Sequence, residues 1–411
     1  MNFEYFIAKR IISAKEHKNS VSAPIIKIAI VSIIIGFVTM IISIATGVGL
    51  QKKIHEKVSA FNGDIIISKF EDNYSNDAQN TISRNQDFYP NFKNVEGIKH
   101  VQAIASKGGI IRTATDFEGI VIKGVGADYD WNFFQDVLVE GELPDYTSEL
   151  NQEILISEYI ANRLNLKVGD KATTYFLRKD SSKPPRSRGF VVSGIYNSGF
   201  EEFDDKFVIA DIRHIQKLNK WTEDEVGSFE VFVDDFNEID LKGNEVYNNI
   251  DSLLDTQTVK DKYYSIFRWL ELFDFNIALI IGIMILVAGI NMITALLVLI
   301  LERTQMIGIL KALGSEDKSV RKIFLYNAMY LIGVGLFWGN IIGIGLLMLQ
   351  KYFKLIQLDP AIYYVMEAPV YISFGYVFLL NIGTLILCLL MLLIPSFIIS
   401  KISPVKAIRF E

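Results

Sequence analysis

The sequence predicts an α-helical integral membrane protein with four transmembrane helices and a large α+β domain between the first and the second. Three observations carry this reading. Four long stretches contain no Asp, Glu, Lys or Arg, a 223-residue segment of ordinary polar character separates the first two, and the short flanks differ in charge from that segment. The chain has 411 residues, half of them apolar and only 21% charged. A soluble chain of this size splits into two or three domains with apolar residues spread through each; here they are concentrated.

The uncharged stretches are 28–51, 275–301, 323–350 and 368–400, of 24, 27, 28 and 33 residues. A helix crossing the bilayer needs roughly 20 apolar residues, so each is predicted to span. The first is too long for the roughly 7–15-residue apolar core of a signal peptide, and 27 residues precede it. It is expected to be a retained anchor. With flanking turns, the spans are 28–51, 271–301, 323–350 and 368–400.

Charge sets the expected orientation. Segment 1–27 holds five Lys/Arg against two Asp/Glu, 302–322 five against three, and the tail 401–411 three against one. The long segment 52–274 holds 26 against 39, a net of −13. Basic short flanks stay in the cytoplasm. Both termini and 302–322 are therefore expected there, with the domain 52–270 and the short loop 351–367 outside.

The outer domain reads as mixed α+β. "GDIIIS" (63–68), "GIVIKGV" (119–125), "KVGDKATTYFL", "RGFVVSGIY" and "SFEVFVDD" are strand-like, with β-branched runs closed by turn residues. "SEYIANRLNL" (157–166) reads as a helix capped by Ser157, and 236–254 as another helix. Residues 69–90 read as a polar loop. Residues of about 150–212 read as an inserted subdomain, with the flanking parts pairing into one membrane-proximal body. Cys388, the only cysteine, lies in the fourth stretch, so the domain has no disulfide.

Candidate chemistry is sparse. Histidines 17, 55, 100 and 214 are scattered and no His/Cys set has metal spacing. "GFEEFDDKF" (199–207) gathers four carboxylates but lacks the alternating pattern of a calcium loop; a solvated loop is expected. No G-x-x-x-x-G-K-[ST], G-x-S-x-G or H-E-x-x-H occurs, and the four uncharged stretches hold no ionisable Asp, Glu, Lys, Arg or His. No catalytic, metal or cofactor residue is therefore assigned. The chain then either does no energised work or borrows energy from a partner.

Two segments invite a partner. In "RKDSSKPPRSR" (178–188) five of eleven residues are basic around two consecutive prolines. That composition fits either a solvated hairpin tip or a protruding arm that engages a partner. In 303–313 a helix would set Met306, Ile307, Leu310 and Leu313 along one stripe, with Ile309 at its edge. Arg303, Gln305 and Lys311 would lie elsewhere. Gly314 suits a helix C-terminus, and Ser315 would cap the next helix, with Glu316 and Asp317 in its first turn. The stripe fits an interfacial helix on lipid or a helix docked in a protein groove. Gly335, Gly339 and Gly343 recur every four residues on one face of the third span. They permit close packing, read as intramolecular in preference to packing on a second copy of the chain or a related one.

"ERTQMIGILKALGSEDKSVRKIF" followed by a glycine-rich span resembles the FtsX-type permease domain. "FEYFIAKRII" (3–12), "SEYIANRLNLKVGDK", "PPRSRGFVVSGIYNSGFEEFD" and the terminal "SPVKAIRF" resemble the lipoprotein-releasing (Lol-type) permeases. The resemblance covers nearly the whole chain. It implies a MacB-like periplasmic core joined to an FtsX-like permease domain, in a bacterial inner membrane. It implies two copies of a LolD-like cytoplasmic ATPase, which bind ATP and Mg, coupled through Arg303, Met306, Ile307, Leu310, Lys311, Leu313 and Gly314. It further implies a second permease copy or paralogue, lipoprotein cargo, membrane lipids, and a LolA-like periplasmic carrier, but no nucleic acid. Carrier contact would fall on Lys183, Pro184, Pro185 and Arg186. Motion would pass mechanically from the ATPase through the spans to the outer domain. Rival readings are a MacB-type exporter permease for peptides or drugs, an FtsX-like regulator of cell-wall hydrolases, and a membrane-anchored enzyme. No nucleophile–base set supports the last.

Overall fold

The computed structural model of the chain describes residues 3–13, 22–70, 80–177 and 184–402. In chain order it begins with α1 (Phe3–Ser13), α2 (Ser22–Asn62), β1 (Ile65–Lys69), β2 (Ile82–Ser83), β3 (Ile98–Arg112) and β4 (Phe117–Val125). Next come α3 (Asn132–Val137), β5 (Leu138–Gly141), β6 (Glu153–Ser157), α4 (Glu158–Leu164), β7 (Lys171–Phe176) and β8 (Arg186–Tyr196). Then follow α5 (Glu201–Asp204), β9 (Phe207–Asp211), α6 (Ile212–Asn219), β10 (Glu225–Val226), β11 (Ser228–Val233) and α7 (Ile239–Asn248). The chain continues through β12 (Leu254–Thr258), α8 (Val259–Lys262), α9 (Tyr264–Glu302), α10 (Thr304–Ala312), α11 (Asp317–Phe353), α12 (Pro360–Tyr363) and α13 (Phe374–Ser396). Two compact units result. A helical unit holds Met1–Gln51, Leu270–Gln357 and Glu367–Glu411; an α+β unit holds Lys52–Trp269 and Leu358–Met366.

Four helices, Pro24–Asn62, Tyr264–Glu302, Asp317–Phe353 and Phe374–Lys401, are long and apolar enough to cross a membrane. The first three run well past the uncharged stretches. At about 1.5 Å per residue, the 41 residues of α2 exceed the roughly 30 Å hydrocarbon core by a wide margin. Phe37, Met292, Phe324 and Leu392 are fully buried in the core of the helical unit. Polar side chains pair between helices: Asn291 donates to Ser32 at 2.5 Å, and Asn340 and Asn381 exchange amide hydrogen bonds at 2.8 and 3.1 Å.

The glycine row of α11 lies against α2. A Cβ built on Gly335 would come within 2.6 Å of Ile33, one on Gly339 within 3.0 Å of Phe37, and one on Gly343 within 3.5 Å of Ile41. Three small residues at four-residue spacing thus receive three large ones at the same spacing. Gly333 and Gly345, off this face, have open space around them. Apolar lipid offers little drive for helix association, so such close fits carry much of it.

In the α+β unit, the sheet order is β12-β1-β11-β3-β4-β9-β6-β8-β5, with β7 pairing both β3 and β8. The strands β3, β4, β9, β6, β8 and β7 therefore close on themselves into a six-stranded ring. Residues 150–212, expected as an inserted subdomain, supply four strands of that ring and share it with β3 and β4. Length explains this: β3 has 15 residues, so Ser228–Val233 pairs with its first half while Lys171–Phe176 reaches its end. Ser157 caps α4 by accepting from the Ile160 amide, and Asn165 ends it in the left-handed region.

A fully buried ion pair and its hydrogen bonds tie four elements of this unit. Lys123 on β4 meets Glu230 on β11 at 2.7 Å and donates to the carbonyl of Phe61 at 2.9 Å. Gln102 on β3 donates to the same carboxylate at 2.7 Å. Burial pushes the Lys123 ammonium down from its ordinary range, and Glu230 opposes that shift. Loss of either partner would strand a charge without water.

The acidic motif 199–207 is not the solvated loop expected from its composition. Its aromatic residues pull it inward: Phe200 and Phe203 are buried, and Phe203 sits 4.8 Å from Phe61. The Asp204 carboxylate is carried in with them and accepts from the Ser198 hydroxyl at 2.6 Å. Burial pushes its pKa up to about 6, with the Ser198 hydrogen bonds opposing.

Two outcomes are expected. Gly335→Leu should lower the melting temperature of the full chain in detergent, by overpacking worth about 1–3 kcal/mol, whereas Gly345→Leu should leave it unchanged. Equal melting of the two variants would contradict the packing. For Asp204, the folded pKa lies above the ordinary 3.8. Its contribution is therefore fully present below about pH 4 and is lost as pH rises through about 6. Asp204→Asn should then be more stable than the parent at about pH 7.5, on the order of 2 kcal/mol, with the gap closing by about pH 4. A gap that does not change with pH would contradict the burial of the charge.

Candidate functional site

The segment between α9 and α11 carries the candidate site. α9 ends at Glu302, and Thr304 turns its hydroxyl back onto the carbonyls of Ile300 and Leu301 at 3.1 and 2.7 Å. Nine residues of α10 follow, and Gly314 closes it at φ +94°. That left-handed conformation favours glycine. Glu316, not Ser315, is the N-cap of α11, and no side chain caps it. The Ser315 amide instead bonds the carbonyl of Leu310 at 3.0 Å, which ties Ser315 to the end of α10.

The apolar stripe expected to face a partner is turned into the chain itself. Ile307 is 0% exposed and packs in the helical core with Val320, Phe324 and Ile399. Met306 and Leu310 are half-buried between that core and a second cluster formed by Ala8, Ile11 and Ile323. The second cluster is the inner face of α1, which Glu4 fastens to Ser319 at 3.1 Å. Lys311 is also engaged internally. Its side chain is 8% exposed, pairs with Asp317 at 2.8 Å and donates to the carbonyls of Ile399 and Ile402 at 2.8 and 3.0 Å. It thereby supplies a donor to carbonyls beyond the end of α13, where the helical bonding pattern runs out. Arg303 is half-buried at the α9–α10 break.

What remains outside is the opposite face: Gln305, Ile309, Ala312, Leu313, Gly314 and Glu316 are exposed, with Ile309 at 47% and Leu313 at 79%. This face is small and apolar at its centre, with polar residues at its rim. The inner face of α10 is packed on α1 and α11. Of the seven residues expected to couple, the structure leaves Leu313 and Gly314 accessible. Ile309, named from sequence only as an edge of the stripe, lies at the centre of the exposed face.

The second expected site lies at the β7–β8 hairpin. Pro184 and Pro185 are exposed. Arg186 opens β8 and donates to the carbonyl of Leu218 at the end of α6, so it is a structural contact more than a free arm. Lys183 lies outside the described residues. Among the described residues, no three His, Cys, Asp or Glu are grouped to hold a metal ion.

A family model described as "MacB-like periplasmic core domain" matches residues 28–242, and one described as "FtsX-like permease C-terminal" matches 278–404. The chain is 23% identical to the lipoprotein-releasing system transmembrane protein LolC of Neisseria meningitidis over 426 aligned positions, covering the full length of both. It is 24% identical to LolC of Haemophilus influenzae over 69% of this chain and 68% of that one. It is 21% identical to LolE of the same organism over 99% of each. The two family models between them take in both units of the structure, and the chain belongs to the FtsX/MacB family of ABC transporter permeases, membrane proteins with a periplasmic-core domain.

Proposed function

We propose that the chain is the permease subunit of an ABC transporter that releases lipoproteins from the inner membrane to a periplasmic carrier. Energy comes from a separate cytoplasmic ATPase, which binds ATP and Mg; this chain carries no cofactor. The observation that carries the reading is the outward face of α10. A short helix, packed firmly on one side and apolar on the other, joins two apolar helices and sits in a segment with a basic excess. Such a helix suits docking on a cytoplasmic protein.

The full-length likeness to LolC and LolE supports lipoprotein as the cargo and a second permease, identical or paralogous, as the partner. On this reading the termini and α10 face the cytoplasm and the α+β unit faces the periplasm. Removing acyl chains from a bilayer costs about 0.8 kcal/mol per CH₂. A chain that lifts several of them needs apolar helices around the tails and an outside source of energy. The carrier would approach the β7–β8 hairpin near Pro184 and Pro185. The likeness to the MacB-type domain also fits an exporter of peptides or drugs; end-to-end likeness to lipoprotein-releasing proteins favours release.

The docking surface is tested by two substitutions that differ in direction. Leu313→Asp places a charge on the outward face and should abolish co-purification with the ATPase while the chain stays folded in the membrane. Ile307→Ala removes buried methylenes and should lower thermal stability by about 2–5 kcal/mol without removing the docking face. ATPase capture unaffected by Leu313→Asp and by Ile309→Asp would exclude this face as the contact.

A further inference from the structure

The nine residues Leu358–Met366, between α11 and α13, belong to the α+β unit although the chain on both sides belongs to the helical unit. Their neck is closed by the Leu358 amide on the Met366 carbonyl at 2.9 Å. Asp359 caps the single turn of α12, accepting from the Ala361 amide. Tyr364 follows at φ +59°, a conformation that turns the chain sharply.

Three separate segments grip this loop. Phe200 stacks on the Tyr364 ring at 4.8 Å and 20°. Trp269, near the start of α9, meets the same ring edge-on at 5.7 Å. Lys57 on α2 donates to the carbonyls of Tyr364 and Gly199, at 3.0 and 3.2 Å, and so braces the loop to the turn that carries Phe200. The stack continues inward: Phe200 on Phe203 at 4.6 Å and 13°, then Phe203 on Phe61 at 4.8 Å. Four rings form a column from the loop to the aromatic core of the sheet. A chain that only needed to connect two helices would require neither the stack nor the lysine.

We infer that residues 358–366 are a strap that fastens the α11–α13 connection to this aromatic column, with Tyr364 as the positioning residue. Tyr364 then holds the loop and the Gly199–Phe203 turn together within the α+β unit. The inference stands on contacts within the α+β unit and does not depend on the nature of the cargo.

The test is amide hydrogen exchange on the full chain in detergent or lipid discs, read at 358–366 and at 198–206. Both segments should be protected in the parent. Tyr364→Ala should speed exchange at both by about tenfold or more while β3 and β4 stay at the parental rate, and Tyr364→Phe, which keeps the ring, should restore protection. An unprotected 358–366 in the parent would overturn the strap. So would Tyr364→Phe as loose as Tyr364→Ala.

Discussion

Gly335, Gly339 and Gly343 let α11 take in Ile33, Phe37 and Ile41 of α2, and this contact fixes where the first apolar helix can sit. Much else follows from the position of α2. Its buried Phe37 fills the core of the helical unit, and its last turns carry Lys57, Phe61 and Asn62 into the α+β unit. Phe61 is the hub of the aromatic core there, touching Phe133, Phe134, Tyr196, Phe203 and Phe207. Asn62 accepts from Lys262 and from the Tyr263 hydroxyl, just ahead of α9, at 2.9 and 3.0 Å. One helix is thus a structural member of both hydrophobic cores. Side chains too large for the glycine row would disturb the packing of α2 within the helical unit.

The same economy of packing shapes α10. A short connection between two long helices has few residues with which to anchor itself, and most of its apolar ones are used for that purpose. Ile307 is held by the helical core, Met306 and Leu310 are shared with α1, and Lys311 holds the chain beyond α13. The helix is consequently coupled to α1, α11 and the end of α13 together. A change at any residue of its inner face is therefore felt by all three.

Legibility in the sequence followed the physics of each signal. The four long helices were plain because absence of charge over more than 20 residues has few other causes. Gly314, the Ser157 cap and the glycine row were plain because each is a local rule. The stripe on α10 was seen but its direction was not: amphipathicity tells which residues share a face, not what covers it. Here α1 and the start of α11 cover it, and Ala8, Ile11 and Ile323 lie far from 306–310 in sequence or beyond its turn. The acidic motif at 199–207 was misjudged because its carboxylates outweighed Phe200 and Phe203 in the reading, whereas aromatic burial decides where such a segment goes. The ring of strands was hidden because β3 changes partners along its length, and no local pattern marks that change.

On the function proposed, the chain is a machine part whose energy and cargo are both supplied by others. That claim is tested most directly in sealed vesicles holding this chain, its ATPase, any paralogous permease and a radiolabelled acylated lipoprotein, with a soluble carrier outside on the face of the α+β unit. The measurement is transfer of label to the soluble fraction. The account predicts transfer that requires ATP, the carrier and this chain together. Transfer without ATP, or ATP-dependent transfer when this chain is omitted, would contradict it.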